Sequence, residues 1–296
     1  MYLSFRLNKL RISALSALAL LLVCFIASAP FAGGGTVSEK RSGDDEAVTL
    51  CTVMYHGFIE DKSKQNKYMI DPSCLENDLK YLTENGYDTI FVSELIDHFE
   101  NGAALPEKPV MLTFDDGYYN NYLYAFPLLK KYGCKAVLSP IGRACEKACD
   151  EEKQSPIYSQ CSFAQLNEMK NSGLVELAYH TYDLHTVSEG IQGVQKKQGE
   201  SEQQYEERLR ADISAFCVLS EREFGVTPLC FTYPFGAKSE HTLDIAKSCG
   251  FKAAMDCEGK LSVLKDSDDL FRIHRFLRPN SLSAGEFFSG RLSSAR

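Results

Sequence analysis

Short apolar runs alternate with longer amphipathic segments along most of this chain, and that order restricts the fold more than any other feature of the sequence. Val48 to Tyr55 reads as a strand, Pro72 to Glu84 as a helix, Thr89 to Val92 as a strand and Ser93 to Glu100 as a helix. Val110 to Phe114 is a strand followed by a helix from Tyr119 to Tyr132, and Cys134 to Ile141 is a strand followed by a helix from Ser162 to Asn171. Further strands are expected at Val175 to Tyr179, Leu229 to Tyr233 and Lys252 to Met255, with helices at Glu202 to Phe224 and His241 to Ser248. Such alternation predicts a largely parallel sheet with covering helices. The strand-like runs, about seven of them, come with dispersed polar motifs and no glycine-rich phosphate loop. This favours an α/β fold of the distorted, incomplete (β/α) barrel kind with about seven parallel strands.

The 296 residues divide unevenly. Barrels of this class run to about 250 residues as one unit, so residues 48–296 are assigned to a single domain. Ahead of it, Arg6, Lys9 and Arg11 precede an almost unbroken apolar run from Ile12 to Ala32, the mark of an export signal or a membrane anchor over residues 1–32. The run exceeds the ~7–15 residues of a signal-peptide core, and Pro30 falls just after the small residues Ala27 and Ala29. Length therefore argues for the anchor and the small residues for cleavage. Either way the basic flank keeps the N-terminus cytoplasmic and places the domain outside, at the cell surface or secreted. Residues 33–47, glycine-rich and then charged, read as a flexible linker. A formal charge of −8 argues against nucleic acid or an anionic membrane surface as partner, so the membrane is met only through the N-terminal segment. A monomer is expected.

Eleven cysteines are many for this length, and all but Cys24 lie beyond the apolar segment, where an oxidising environment permits disulfides. Cys51, Cys134 and Cys230 sit in strand-like runs, as buried small hydrophobes or as pairing partners. Cys145, Cys149 and Cys161 flank the polar stretch from Glu146 to Gln160, where a disulfide-stapled loop is expected; their spacing matches no familiar zinc pattern.

The candidate functional residues share one kind of position, the C-terminal end of a strand: His56 after Tyr55, Asp115 and Asp116 after Phe114, and His180 after Tyr179. Parallel barrel strands bring all those ends to one face. Asp115-Asp116-Gly117 puts two acids together on a turn, where a divalent cation on one leaves the other free to act as a base; an acidic cap on a solvated turn is the plain alternative. His180 and His185 are about 140° apart if helical and on opposite faces if extended, so they can meet on one ion only from an irregular loop. One carboxylate and two imidazoles then form a three-ligand site with positions left open, as in catalytic metal centres.

On these residues the chain resembles the polysaccharide deacetylases of carbohydrate esterase family 4 over about residues 48 to 290. Thr113-Phe114-Asp115-Asp116-Gly117 is similar to the family's first motif, which implies Asp115 as base and Asp116 as metal ligand. His180 and His185 match the histidine-pair motif, with the longer spacing of the branch that includes poly-N-acetylglucosamine deacetylases. Tyr233-Pro234-Phe235-Gly236 resembles the third motif, which implies that Tyr233, Pro234 and Phe235 line the acetyl pocket. Many members carry an arginine two residues before this proline to orient the catalytic acid; Thr232 stands there in this chain, so another cation takes that role or none does. Val53-Met54-Tyr55-His56-Gly57 resembles an N-terminal motif whose histidine, in permuted members, is the general acid. His56 is thus implied as the acid, with His274 of Arg272-Ile273-His274-Arg275 as competitor in the usual late position.

The resemblance implies metal-dependent hydrolysis of N-acetyl groups from an extracellular N-acetylglucosamine-containing polysaccharide, poly-N-acetylglucosamine or peptidoglycan. It implies one divalent ion, zinc first with cobalt or nickel as substitutes. Two other readings compete: an acetyl-ester hydrolase acting on acetylated xylan, and a catalytically silent carbohydrate-binding module that keeps the cleft. Retention of a base, an acid and a ligand set argues against the module, since binding alone requires none of them.

Overall fold

The strand at the centre of the fold, β1 (Val48–Tyr55), is buried from Leu50 onward on both faces, as a strand inside a parallel sheet must be. The computed structural model describes residues 47–148, 153–188 and 190–293. The expected signal or anchor and all but the last linker residue lie outside the described residues. Among the described residues no helix is long and apolar enough to cross a membrane.

After β1 come the short β2 (Gly57–Phe58) and β3 (Met69–Ile70), then α1 (Pro72–Glu84), β4 (Asp88–Thr89), α2 (Val92–Asn101) and β5 (Pro109–Asp116). A π-helical turn at Asn121–Ala125 leads into α3 (Phe126–Tyr132), β6 (Ala136–Pro140), α4 (Gly142–Glu146), α5 (Phe163–Asn171) and β7 (Val175–Leu177). A small hairpin of β8 (Val187–Ser188) and β9 (Ile191–Gln192) precedes α6 (Glu202–Phe224), β10 (Cys230–Thr232), α7 (Thr242–Ser248) and β11 (Ala253–Met255). The chain ends on β12 (Ser262–Leu264), β13 (Phe276–Leu277) and α8 (Ala284–Leu292).

β1, β5, β6 and β7 pair in parallel in that order. A single bridge, Tyr179 to Phe231, links the end of β7 to β10, which pairs in parallel with β11. A second bridge, Met255 to Ile273, joins β11 to the segment whose β13 pairs in parallel with β1. The strands therefore form a ring that closes through isolated bridges, a distorted (β/α) barrel. On β5 the residues Leu112 and Phe114 pack in one apolar cluster with α1, α3, α5 and α8, while Met111 belongs with Leu50, Val137, Cys230, Met255 and Ile273 in another. Period-two alternation thus sorts the strand residues between the two faces.

Several boundaries differ from the sequence reading, each for a local reason. The strand expected over Thr89 to Val92 stops at Thr89, because the Glu94 carboxylate accepts from Phe91 N (2.8 Å) and starts α2 at Val92. The helix expected from Tyr119 to Tyr132 starts and ends as read, but its hydrogen bonding shifts to a π-helical turn over Asn121–Ala125. β12 runs antiparallel to β1, so the sheet is not purely parallel. β12 and β13 are too short to show a periodicity, which is why neither was expected.

The disulfide staple is a further correction. Every described cysteine is a free thiol, and Cys149 lies outside the described residues. Cys145 and Cys161 are buried in the core under the end of β5. Cys161 N donates to Gly117 O (2.8 Å) and its thiol to Tyr118 O (3.2 Å), and burial pushes that thiol up to about 12. Hydrogen bonds hold the loop in place of a crosslink: Gln154 Nε2 donates to Gln160 O (3.0 Å), and Gln160 bridges to Tyr118. Cys51, Cys134 and Cys230 are buried thiols, with Cys51 also raised to about 12 by burial.

A buried ion pair joins α1 to the end of the chain. Arg278 donates from Nε and Nη2 to the two oxygens of Asp78 (2.7 and 2.8 Å), and Tyr55 Oη adds a third bond at 2.8 Å. Both charged side chains are at most 1% exposed. Removing one partner strands the other charge in the core. Asp78→Ala should therefore lower the unfolding free energy by about 3–5 kcal/mol in a denaturant titration. Glu76→Ala, which breaks the exposed pair with Lys131, should cost no more than about 1 kcal/mol.

Candidate active site

Strand β5 carries both acids as its last two residues, with Asp115 paired to Ser139 and Asp116 to Pro140. They stand at the C-terminal end of a strand, as read from the sequence, but the strand runs two residues past Phe114 and the turn follows them at Gly117. Alternation would send two neighbouring side chains to opposite faces. Asp116 escapes it by adopting φ 69°, followed by Gly117 at φ 73°, and both carboxyls then line one cavity of about 520 Å³. Only glycine fits at position 117, since a Cβ there would lie 2.8 Å from Pro140 Cβ.

His180 is 1% exposed and its Nδ1 stands 2.9 Å from Thr232 O. A carbonyl only accepts, so Nδ1 carries the hydrogen and the other ring nitrogen is left for the cavity. His180 Nε2 and His185 Nε2 lie 3.5 and 3.3 Å from Asp116 Oδ1, and that oxygen is buried without a hydrogen-bond partner. Ligands held ~2.0–2.1 Å from one ion at tetrahedral angles stand about 3.3 Å from one another. The three donors, one atom from each residue within 4.8 Å of the others, thus fit a divalent cation. Burial pulls the His180 pKa down, but the charges of Asp115 and Asp116 outweigh it and hold the pKa above its ordinary value. The position favours positive charge, whether proton or metal ion.

Asp115 has a different partner. Arg275 Nη1 donates to Asp115 Oδ1 (2.7 Å) and Nη2 to Oδ2 (2.9 Å), a bidentate contact with both side chains at most 3% exposed. Nη1 also reaches Thr113 Oγ1 (3.2 Å), Nη2 reaches Cys257 Sγ (3.6 Å), and Nε donates to Asp256 O (2.9 Å). Burial pushes the Asp115 carboxyl up, but the Arg275 charge, with His180 and His56, more than offsets it and holds the pKa below the usual carboxylate value. Sequence reasoning found Thr232 where an arginine was expected and missed the replacement. The only signal was the tetrapeptide Arg272-Ile273-His274-Arg275, in which the histidine drew attention.

His56 follows β1 and lines the cavity, its ring 4.7 Å from that of Tyr68. Burial lowers its pKa against the pull of Asp115 and Asp116. His274 points elsewhere: its Nδ1 lies 3.0 Å from both oxygens of Asp256, and it is absent from the cavity wall. Of the third-motif residues only Phe235 meets the cavity, 44% exposed with its ring 4.4 Å from His185. Tyr233 is 1% exposed and packs with Phe231 in the core, and Pro234 is buried against Gly193, so the expectation that both line the pocket is corrected. Met54, Tyr68, Tyr118, Gln192, Cys257 and Leu277 complete the wall, and none of them was named as a site residue from the sequence.

The chain is similar to several known proteins. The family model described as polysaccharide deacetylase matches residues 102–254. A poly-β-1,6-N-acetyl-D-glucosamine N-deacetylase of Escherichia coli (strain K12) is 29% identical over 251 residues, covering 77% of this chain but only 36% of that relative. The chain thus spans little more than a third of that relative's length. A de-N-acetylase from Aggregatibacter actinomycetemcomitans superposes with a TM-score of 0.68 at 26% identity, over 79% of this chain and 97% of that one. IcaB from Ammonifex degensii superposes with a TM-score of 0.64 at 26% identity, over 79% of this chain and 93% of that one.

If Asp116, His180 and His185 hold one cation, cobalt(II) titrated into the metal-free protein should give a saturable visible absorption at one equivalent per chain. His185→Ala or Asp116→Ala should weaken that binding by at least about tenfold. Unchanged affinity in both variants would refute the ligand set.

Proposed function

The chain belongs to the polysaccharide deacetylase family, and from that premise we propose that it removes N-acetyl groups from an extracellular N-acetylglucosamine-containing polysaccharide, releasing acetate. The observation that carries the proposal is the division of labour between neighbouring acids. Asp115 is held by Arg275 and kept ionised, while Asp116 faces two imidazole nitrogens across gaps that suit a shared ion. A binding module has no use for that division. Poly-β-1,6-N-acetylglucosamine is the first substrate to test, in view of the E. coli relative, with peptidoglycan second. Action outside the cell rests on the N-terminal apolar segment.

In the proposed mechanism Asp116, His180 and His185 hold the divalent ion, with zinc the first choice for two imidazoles and a carboxylate. When bound, that ion would polarise the acetamide carbonyl and make a water more acidic. Asp115, ionised and fixed in orientation by Arg275, takes the proton of the attacking water as the oxygen adds to the acetamide carbon. The Phe235 backbone N–H is the candidate donor to the oxygen that becomes negative. His56 then protonates the nitrogen as the carbon–nitrogen bond breaks, leaving acetate and a free amine. Its lowered pKa makes the protonated ring a strong donor. Apolar Met54 and Leu277, with Phe235, give the cavity a wall suited to the acetyl methyl group.

Acetate release from poly-N-acetylglucosamine, peptidoglycan, chitin oligomers and acetylated xylan, each with and without chelator, tests the proposal. Chelator-sensitive release from at least one is expected; release only from acetylated xylan would favour the ester hydrolase. Asp115→Asn should abolish turnover while cobalt still binds. Arg275→Met, which leaves Asp115 buried without its partner, should reduce kcat by about 10²-fold or more with cation affinity changed only a few-fold. Wild-type turnover in Asp115→Asn would remove Asp115 from the role of base, and wild-type turnover in Arg275→Met would remove Arg275 from the role of orienting it.

A further inference from the structure

The loop carrying His180 and His185 begins with a strained residue. Thr181 has φ 72°, a left-handed conformation that a β-branched side chain resists, and it is fully buried. Its own Oγ1 has no hydrogen-bond partner, so the side chain does not hold the conformation in place. The restraint comes from α6. Asp212, 7% exposed, accepts from Tyr182 N (2.8 Å) and Tyr179 Oη (2.6 Å) at Oδ1, and from Asp183 N (2.8 Å) at Oδ2.

Successive N–H groups beside a left-handed residue form a small concave anion site. Here the anion is a carboxylate of the same chain. The carbonyls of the turn are tied from the other side, with Gly142 N donating to Thr181 O (3.0 Å) and Arg143 N to Tyr182 O (2.8 Å). The turn is therefore clamped between α4 and α6. His180 is fixed independently through Thr232 O, so the clamp governs where His185 lies relative to it.

We propose that Asp212 is a positioning residue for the cation site. Its carboxylate holds the left-handed turn at Thr181 and so sets the placement of His185 Nε2 against His180 Nε2 and Asp116 Oδ1. The inference rests on reading those three residues as a cation site. Asp212 itself touches neither cation nor substrate. Without it, two backbone N–H groups lose their acceptor, Thr181 relaxes out of the left-handed region, and the two imidazoles no longer converge on Asp116.

The test uses metal-free full-length protein titrated with cobalt(II), reading both affinity and visible spectrum. Four proteins are compared: wild type, Asp212→Asn, Asp212→Ala and Asp78→Asn, each first shown to be folded by circular dichroism. Asp212→Ala should bind about 10–100-fold more weakly with an altered spectrum. Asp212→Asn keeps one acceptor oxygen and should fall between it and wild type. Asp78→Asn also loses a buried carboxylate but has no contact with the loop, and should keep wild-type affinity and spectrum. If Asp212→Ala does not fold, Asp212→Asn carries the test. Wild-type affinity and spectrum in the Asp212 variants would overturn the proposal, as would an equal loss in Asp78→Asn, which would point to general instability. A wild-type protein that binds no cobalt would overturn the cation-site reading itself, a distinguishable failure.

Discussion

The contact between Arg275 and Asp115 is the interaction on which the rest of the site depends. Taking a guanidinium and a carboxylate out of water costs several kcal/mol per ion, and mutual attraction offsets this only when the geometry is good and the remaining donors are satisfied. Arg275 meets that condition, using every guanidinium N–H on Asp115, Thr113, Asp256 and Cys257. The pair keeps one acid ionised and fixed in orientation. Its neighbour, Asp116, is left with an oxygen that no protein donor satisfies. Adjacent carboxylates thus acquire different chemistry from their surroundings alone.

The pairing of β13 with β1 explains why candidate site residues can come from distant parts of the chain. β13 pairs in parallel with β1, Val53 opposite Phe276 and Met54 opposite Leu277, and Arg278 N donates to Met54 O (3.0 Å). The first and last strands of the barrel are therefore neighbours. A side chain leaving β1, such as His56, and one borne by the segment that leads into β13, such as Arg275, reach the same cavity region. Barrel geometry fixes which strands adjoin the site but not where the chain starts, so a role supplied late in one sequence can be supplied early in another. Arg275 reaches from the closing segment to Asp115, for which the family resemblance had led to an arginine being expected at position 232. Thr232 is occupied differently, its hydroxyl paired with Ser139 (2.8 Å) and its carbonyl with His180.

How much of this was legible depended on length and on locality. β1, α1 and α6 have the bounds read from the sequence, because a strand buried on both faces and helices with Asp71 or Ser201 as N-cap carry their signals within a few residues. β12 and β13 are too short for any pattern, and they close the ring only through pairing with a strand some two hundred residues away. The histidine loop was legible by elimination, since no regular element lets His180 and His185 converge. The partner of Asp115 was not, because nothing in the sequence near Asp115 refers to Arg275. Tyr233 was misplaced for a related reason: a motif states which residues are present, while the packing of Tyr233 with Phe231 decides which of them face the cavity.

Backbone conformation shows where the fold gives up local preference for function. Among the described residues, the non-glycine positions with positive φ are Asp116, Thr181 and Phe235. The first is a proposed ligand, the second follows another, and the third lies against His185. Such conformations cost about 1–3 kcal/mol each and persist only where the surroundings over-determine them. Here the surroundings are restraining: the pairing of Asp116 with Pro140 of β6, the Asp212 clamp at Thr181, and the close packing of Gly193 against Pro234 beside Phe235. The first two departures correct directions that a regular element would have given wrongly, returning Asp116 to the face of Asp115 and letting His185 meet His180. Strain at Asp116 and Thr181 is therefore the consequence of building one cavity from strand ends whose regular alternation would have scattered its side chains.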